Sequence, residues 1–187
     1  MPKTGQSSDQ LFVAIQGDLA FVRVVDRGSF KISTSMKNFG TVALEQGVVR
    51  IVIDMSRCVG MDSTFMGVIA GLAFRLKELS GGEICMVNLT ARTRNLLSTL
   101  GLDNLVRPYM TNTTPDEFKA RLGVSEDFLP LHSQTVNRRD TAAMMLEAHE
   151  KLVQLTPENV CRFKDVLTFL REDLEKASAK DQRKEHL

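Results

Sequence analysis

Charge of one sign is what this chain most lacks. Across 187 residues, 24 Lys and Arg stand against 23 Asp and Glu, a formal net charge of +1. A protein that held nucleic acid or an anionic membrane by bulk electrostatics would carry a basic excess, so composition gives that class of function no support. Long apolar runs are also missing. The longest, such as 51–53 and 67–74, fall far short of the roughly 20 residues of a spanning helix, so membrane insertion is not expected. The opening MPKTGQSSDQ lacks the apolar core of a secretory signal and reads as a disordered lead-in over 1–10.

Cysteine is scarce and scattered: Cys58, Cys85 and Cys161. The odd count and wide spacing argue against a disulfide framework and a CxxC metal knuckle. Cys85 sits inside the apolar run ICMV, where it behaves as a small hydrophobe, and a reducing cytoplasm is the expected compartment. His132, His149 and His186 come late in the chain, none with a second ligand at a metal spacing such as HxxxH. No GxxxxGK[ST] loop or GxGxxG turn is present, so nucleotide binding has no motif behind it. A Ser-His-Asp arrangement would need a histidine delivered from the tail, and nothing specifies one. The chain therefore reads as a non-enzyme with no cofactor and no metal.

What is present is an alternation of strands and helices. Two apolar stretches, 13–15 and 19–25, are split by Gly17-Asp18, a hairpin signal. Phe30, Ile32, Met36, Phe39, Val42, Ala43 and Leu44 then recur at helical spacing, with Ser33, Thr34 or Ser35 as caps and Gly47 as the stop. Residues 48–53 are β-branched except for Arg50 and read as a strand, followed by a loop and a helix from about 63 to 79. Gly81-Gly82 breaks that helix. Residues 83–88 read as a strand, Thr90 opens a helix closed by Gly101, and 106–110 is a short edge strand with Pro108. The order β-β-α-β-α-β-α-β predicts an α/β domain, a mixed sheet with helices packed on it, over 11–112.

The tail differs. Residues 113–137 read as a linker, with a short helix over 116–122. From 138 to 155 the positions Met145, Ala148, Leu152 and Leu155 step by three and four. Thr156-Pro157 then restarts a helix as N-cap and first helical residue. Its stripe is Val160, Phe163, Leu167, Leu170 and Leu174, widened by Val166 and Phe169. Large side chains worth roughly 1.5–3 kcal/mol each cannot stay wet. These helices over 138–178 therefore fold as a hairpin on the domain or pair between chains as a homodimer, and 179–187 reads as a frayed end.

The junction Met61-Asp62-Ser63-Thr64 carries the chemistry. A serine where a strand hands over to a helix is expected to have its hydroxyl exposed near the first turn, beside unpaired N–H groups and the positive end of the dipole. Such a hydroxyl could carry a phosphate without unfolding the helix, and the added charge would disrupt a partner interface covering it. The plainer reading is that Asp62 or Ser63 is only an N-cap. Gly67 and Gly71, spaced GxxxG, read as close packing of this helix on the sheet.

With Val52-Ile53-Asp54 ahead of it, Gly67-Val68-Ile69 continuing it, Gly81-Gly82-Glu83 before the next strand and LLSTLGLDNL closing the pattern, this junction resembles the STAS domain of bacterial anti-sigma-factor antagonists and sulfate-transporter tails. The resemblance covers roughly residues 11–112. It implies that Ser63 matches the residue phosphorylated by a cognate serine kinase, itself an anti-sigma factor of histidine-kinase-like ATPase fold, and that Asp62 matches its acidic neighbour. It also implies partner contacts through Asp62, Ser63, Thr64, Phe65 and Met66. Two departures stand out. Phe65 replaces the first glycine of the Asp-Ser-(Ser/Thr)-Gly-x-Gly signature, where an aromatic either hinders the close approach of a kinase or acts as an apolar surface knob for a different partner. The acidic residue often found after the second strand is Phe30 or Lys31 here.

Competing functions follow. The first is a non-catalytic, cytoplasmic regulatory binding module switched at Ser63. The second is a constitutive scaffold, stressosome-like or in a lipid ABC transporter. An enzyme or a binder of small ligands such as nucleotides is the third.

Overall fold

The computed structural model describes residues 9–78, 81–124, 127–132 and 136–184, with side chains to residue 177. A hairpin begins the sheet: β1 (Gln10–Gln16) pairs antiparallel with β2 (Leu19–Gly28). Its turn needs the left-handed φ of +65° that Gly17 adopts at no steric cost. Then β3 (Arg50–Met61), β4 (Glu83–Leu89) and β5 (Arg107–Met110) add in parallel, reached through helices α1 (Phe30–Glu45), α2 (Ser63–Glu78) and α3 (Ala91–Thr99). After α4 (Asp116–Leu122), a short β6 (Leu129–Leu131) pairs antiparallel with β1, giving the order β5-β4-β3-β2-β1-β6. The result is the expected mixed α/β sheet with packed helices.

Strand alternation divides the interior. Ile51, Ile53 and Met55 of β3 and Ile84 and Met86 of β4 enter the larger core with α1 and α2. Val52, Cys85 and Val87 point the other way, where Phe118, Leu122 and Phe128 cover them. On the larger-core side lie two further helices, α5 (Arg138–Val153) and α6 (Pro157–Lys184). They pack on each other, and α5 lies on α2. Asn137 caps α5, its side chain accepting from the Asp140 N–H. Ion pairs Arg138–Asp173 and Arg171–Glu150 join the two helices.

Several expectations change. Residues 54–61, read as loop, continue β3 alongside β2, with register shifts that hide the alternation. Helix α1 starts at Phe30, placing Ser33, Thr34 and Ser35 inside it, where Ser33 and Ser35 are buried. Within 113–137, α4 and β6 pack onto or join the sheet, because both apolar Phe118 and the free edge of β1 need cover. Helix α6 persists to Lys184 through part of the segment expected to fray, while 185–187 and most of the lead-in lie outside the described residues. Its stripe is narrower than expected: Phe163, Leu167 and Leu170 are buried, whereas Val160 and Phe169 are exposed.

Candidate functional site

The β3–α2 junction is built around Asp62. Its Oδ1 accepts from the Phe65 N–H at 2.9 Å, the N-cap arrangement for α2. Its Oδ2 accepts from the Phe30 N–H at 2.7 Å and so caps α1 as well. One carboxylate thus satisfies the starts of two helices, while the Asp62 N–H donates to the Gly28 carbonyl at 2.9 Å. The capping reading of Asp62 holds in full. It explains why α1 starts without a local cap: Ser29 at the N-cap position makes no side-chain cap bond.

Ser63 is the first residue of α2 and is half-buried, not exposed as expected. Its Oγ lies 2.9 Å from Nε2 of His149, a residue of α5. The other ring nitrogen, Nδ1, is 2.7 Å from the Met145 carbonyl oxygen, which can only accept, so Nδ1 carries the proton. In the neutral ring Nε2 then presents a lone pair, and the Ser63 hydroxyl donates to it. The imidazole is 3% exposed and meets the Phe163 ring of α6 edge-on at 5.0 Å between centroids. A main-chain carbonyl, not a carboxylate, orients it, so it lacks the third member of a hydrolytic triad. Among the described residues no group of three or more metal-binding side chains occurs.

The remaining expected contact residues are interior. Thr64, Phe65 and Met66 are 3, 0 and 4% exposed. Phe65 is not a surface knob: its ring fills the space above Gly28, where a β-carbon would stand 2.5 Å from Phe65 Cδ1. Gly28, without a side chain, leaves the room that the Phe65 ring occupies. Gly67 departs from expectation too. Its bare face meets α5 instead of the sheet, with the Ala148 carbonyl oxygen 2.2 Å from an added β-carbon.

The hairpin that brings His149 here has its own anchors. Asn159, fully buried, donates to the Leu100 and Leu152 carbonyls at 3.0 and 2.8 Å, tying α6 to the end of α3 and to α5. Arg162 donates to the Thr99 carbonyl at 2.7 Å. Lys37 of α1 pairs with Glu147 of α5. Sequence reasoning missed His149, yet a signal existed: it follows Met145 by four and precedes Leu152 by three, on the apolar face of α5.

A second buried polar cluster occupies the opposite face of the sheet. Asp54, 1% exposed, pairs with Arg23 at 2.8 Å and accepts from Asn88 Nδ2 at 2.8 Å and the Ser56 N–H at 3.0 Å. Burial, the largest single effect, pushes its pKa up, but the Arg23, Asn88 and Ser56 hydrogen bonds together outweigh it and hold the carboxyl below its ordinary value. Arg23 also donates to the Leu122 carbonyl at 2.6 Å and lies 4.5 Å over the Phe128 ring. This cluster fixes α4 and the following segment to the sheet.

The STAS domain model matches residues 6–116. Helices α5 and α6, and with them His149, lie beyond that match. Among solved structures, an anti-sigma factor antagonist from Mycobacterium paratuberculosis is 19% identical, over 63% of this chain and 97% of its own, with a TM-score of 0.52. A Thermotoga maritima protein provisionally assigned as an anti-sigma factor antagonist is 21% identical, over 59% of this chain and 92% of its own, with a TM-score of 0.50. At these identities the likeness is one of fold. Comparison with curated proteins gives no match.

Proposed function

The chain belongs to the STAS domain family, and from that premise we propose that it is a non-catalytic, cytoplasmic regulatory module of the anti-sigma-factor-antagonist kind, binding a protein partner under the control of phosphate at Ser63. The observation that carries the reading is the position of Ser63. It is the first residue of α2, where the helix dipole favours negative charge, and both oxygens of its acidic neighbour are already committed to main-chain N–H groups. A phosphate adds close to two negative charges there without removing a cap. The partner this reading expects is a serine kinase of histidine-kinase-like ATPase fold that is itself an anti-sigma factor.

Incubation with such a kinase and ATP, followed by mapping of the phosphosite, tests it. Phosphate on Ser63, and a partner retained by Ser63→Ala but released by Ser63→Glu, are the expected results. Phosphate elsewhere, or none, counts against the switch. A constitutive scaffold is the second reading, favoured by the covering of the Ser63 face by the chain's own α5. Capture of a transporter ATPase or a large homotypic assembly, indifferent to both substitutions, would select it.

A further inference from the structure

We infer that the α5–α6 hairpin is a built-in cover for Ser63, and that a docked hairpin and a negatively charged residue 63 exclude one another. The inference rests on reading Ser63 as the switch residue and adds what regulates it. Three observations converge. The Ser63 hydroxyl is engaged by His149 at 2.9 Å, from outside the family domain. One turn into α2 the contact with α5 is main chain to main chain, where a β-carbon on Gly67 would stand 2.2 Å from the Ala148 carbonyl oxygen. The imidazole is sealed by Phe163, which makes α6 part of the same cover.

The polarity of the contact sets the direction of the coupling. His149 Nδ1 is committed as a donor to Met145, so Nε2 of the neutral ring needs a donor and Ser63 provides it. Phosphorylation replaces that donor: the γ-phosphoryl of ATP passes to Oγ, its bond to the ADP oxygen breaks, and the serine proton leaves to the kinase's base. What remains opposite Nε2 is a set of acceptor oxygens carrying charge. Keeping the contact would set these oxygens against the Nε2 lone pair of a ring that is itself buried. Undocking the hairpin instead exposes both groups to solvent. In the unmodified chain the hairpin therefore competes with a partner for the α2 face, and charge at residue 63 releases the hairpin while also disfavouring the partner there.

Hydrogen exchange with mass spectrometry on the full chain tests this without a partner. In Ser63→Glu, amides of 138–153 and 157–174 are expected to exchange about tenfold faster than in wild type, the scale of one lost hydrogen bond facing a charge, while β3 and β4 stay protected. Ser63→Ala, which adds no charge, should remain close to wild type. In a His149→Ala background the further increment from S63E should shrink, because the confronting lone pair is gone. Hairpin exchange in S63E equal to or slower than wild type would overturn the inference, the slower case meaning that His149 clamps the charge. Should S63E expose β3 and β4 as well, the shorter Ser63→Asp is measured by the same criteria. None of these outcomes bears on whether a kinase modifies Ser63. Failure of phosphorylation at Ser63 in both wild type and His149→Ala would sink the earlier reading alone.

Discussion

The carbonyl oxygen of Ala148 sits 2.2 Å from the place a β-carbon on Gly67 would take. Helices α2 and α5 therefore touch backbone to backbone at this point, and only glycine permits it. Four residues on, a β-carbon at Gly71 would meet Lys151 Cγ at 3.6 Å, an ordinary contact. The two positions predict opposite signs. Gly67→Ala should lose about 1–3 kcal/mol through overpacking, in spite of the better helix former. Gly71→Ala should be neutral or gain up to about 1 kcal/mol from helix propensity. Urea unfolding of both variants checks the pair, and a stabilising Gly67→Ala would mean that the hairpin does not dock as described.

Asp62 provides the second prediction. Its two oxygens cap α1 and α2 through the Phe30 and Phe65 N–H groups. A typical cap is worth about 1 kcal/mol, so Asp62→Ala should cost about 2 kcal/mol, roughly twice the loss from a single-helix cap. Asp62→Asn, which keeps one acceptor oxygen, should lose about half as much. Thermal unfolding monitored by circular dichroism would resolve the series, and equal losses in both variants would show that only one of the two caps matters.

The sheet was largely legible in the sequence because its cues are local: a glycine turn after β1, β-branched residues in the first half of β3, and an apolar run in β4. In α2 the residues Phe65, Ile69, Leu72 and Leu76 step by four and three and are all buried, a period that sequence reasoning left unused. That period places Phe65 inside, where comparison with a motif alone suggested a surface knob. What could not be read depends on distant partners. The start of α1 is set by a carboxylate from β3–α2, so no local cap marks it. Strand β6 is Leu-Pro-Leu, and only the open edge of β1 makes it a strand. His149 lies on an apolar face, where a core histidine and a functional one look alike. Only docking of α5 on α2 distinguishes them.

Asp54 yields a prediction in pH. Its folded pKa is lowered, so its contribution is fully present above the unfolded carboxylate value of about 3.9 and is lost as pH falls through the folded value. Replacing it leaves Arg23 buried without its counter-charge. At neutral pH, Asp54→Ala should therefore cost about 3–5 kcal/mol. The gap to wild type should narrow as the medium is taken below about pH 4. The double replacement Arg23→Met with Asp54→Leu should cost less than Asp54→Ala, because no unpaired charge remains. Urea titrations across pH test all three statements, and a gap that widens in acid would reverse the assigned sign.

The cysteines divide by burial, and reactivity should follow. Cys161 is exposed on α6, whereas Cys58 and Cys85 are buried. Burial first, then the charge of Glu83, pushes the Cys85 thiol up to about 12, and burial raises Cys58 as well. Since the thiolate is the nucleophile, neither interior thiol supplies an appreciable reactive fraction near pH 8, and packing bars the reagent besides. Iodoacetamide should add a single adduct to the native chain, at Cys161, and reach all three cysteines only after unfolding. Raising the medium to about pH 9 should still leave Cys85 unlabelled. Intact-mass spectrometry over time separates the cases. A fast second adduct at Cys85 in the native protein would mean that the α4 face of the sheet opens to solvent, contrary to the packing of Phe118, Leu122 and Phe128 over it.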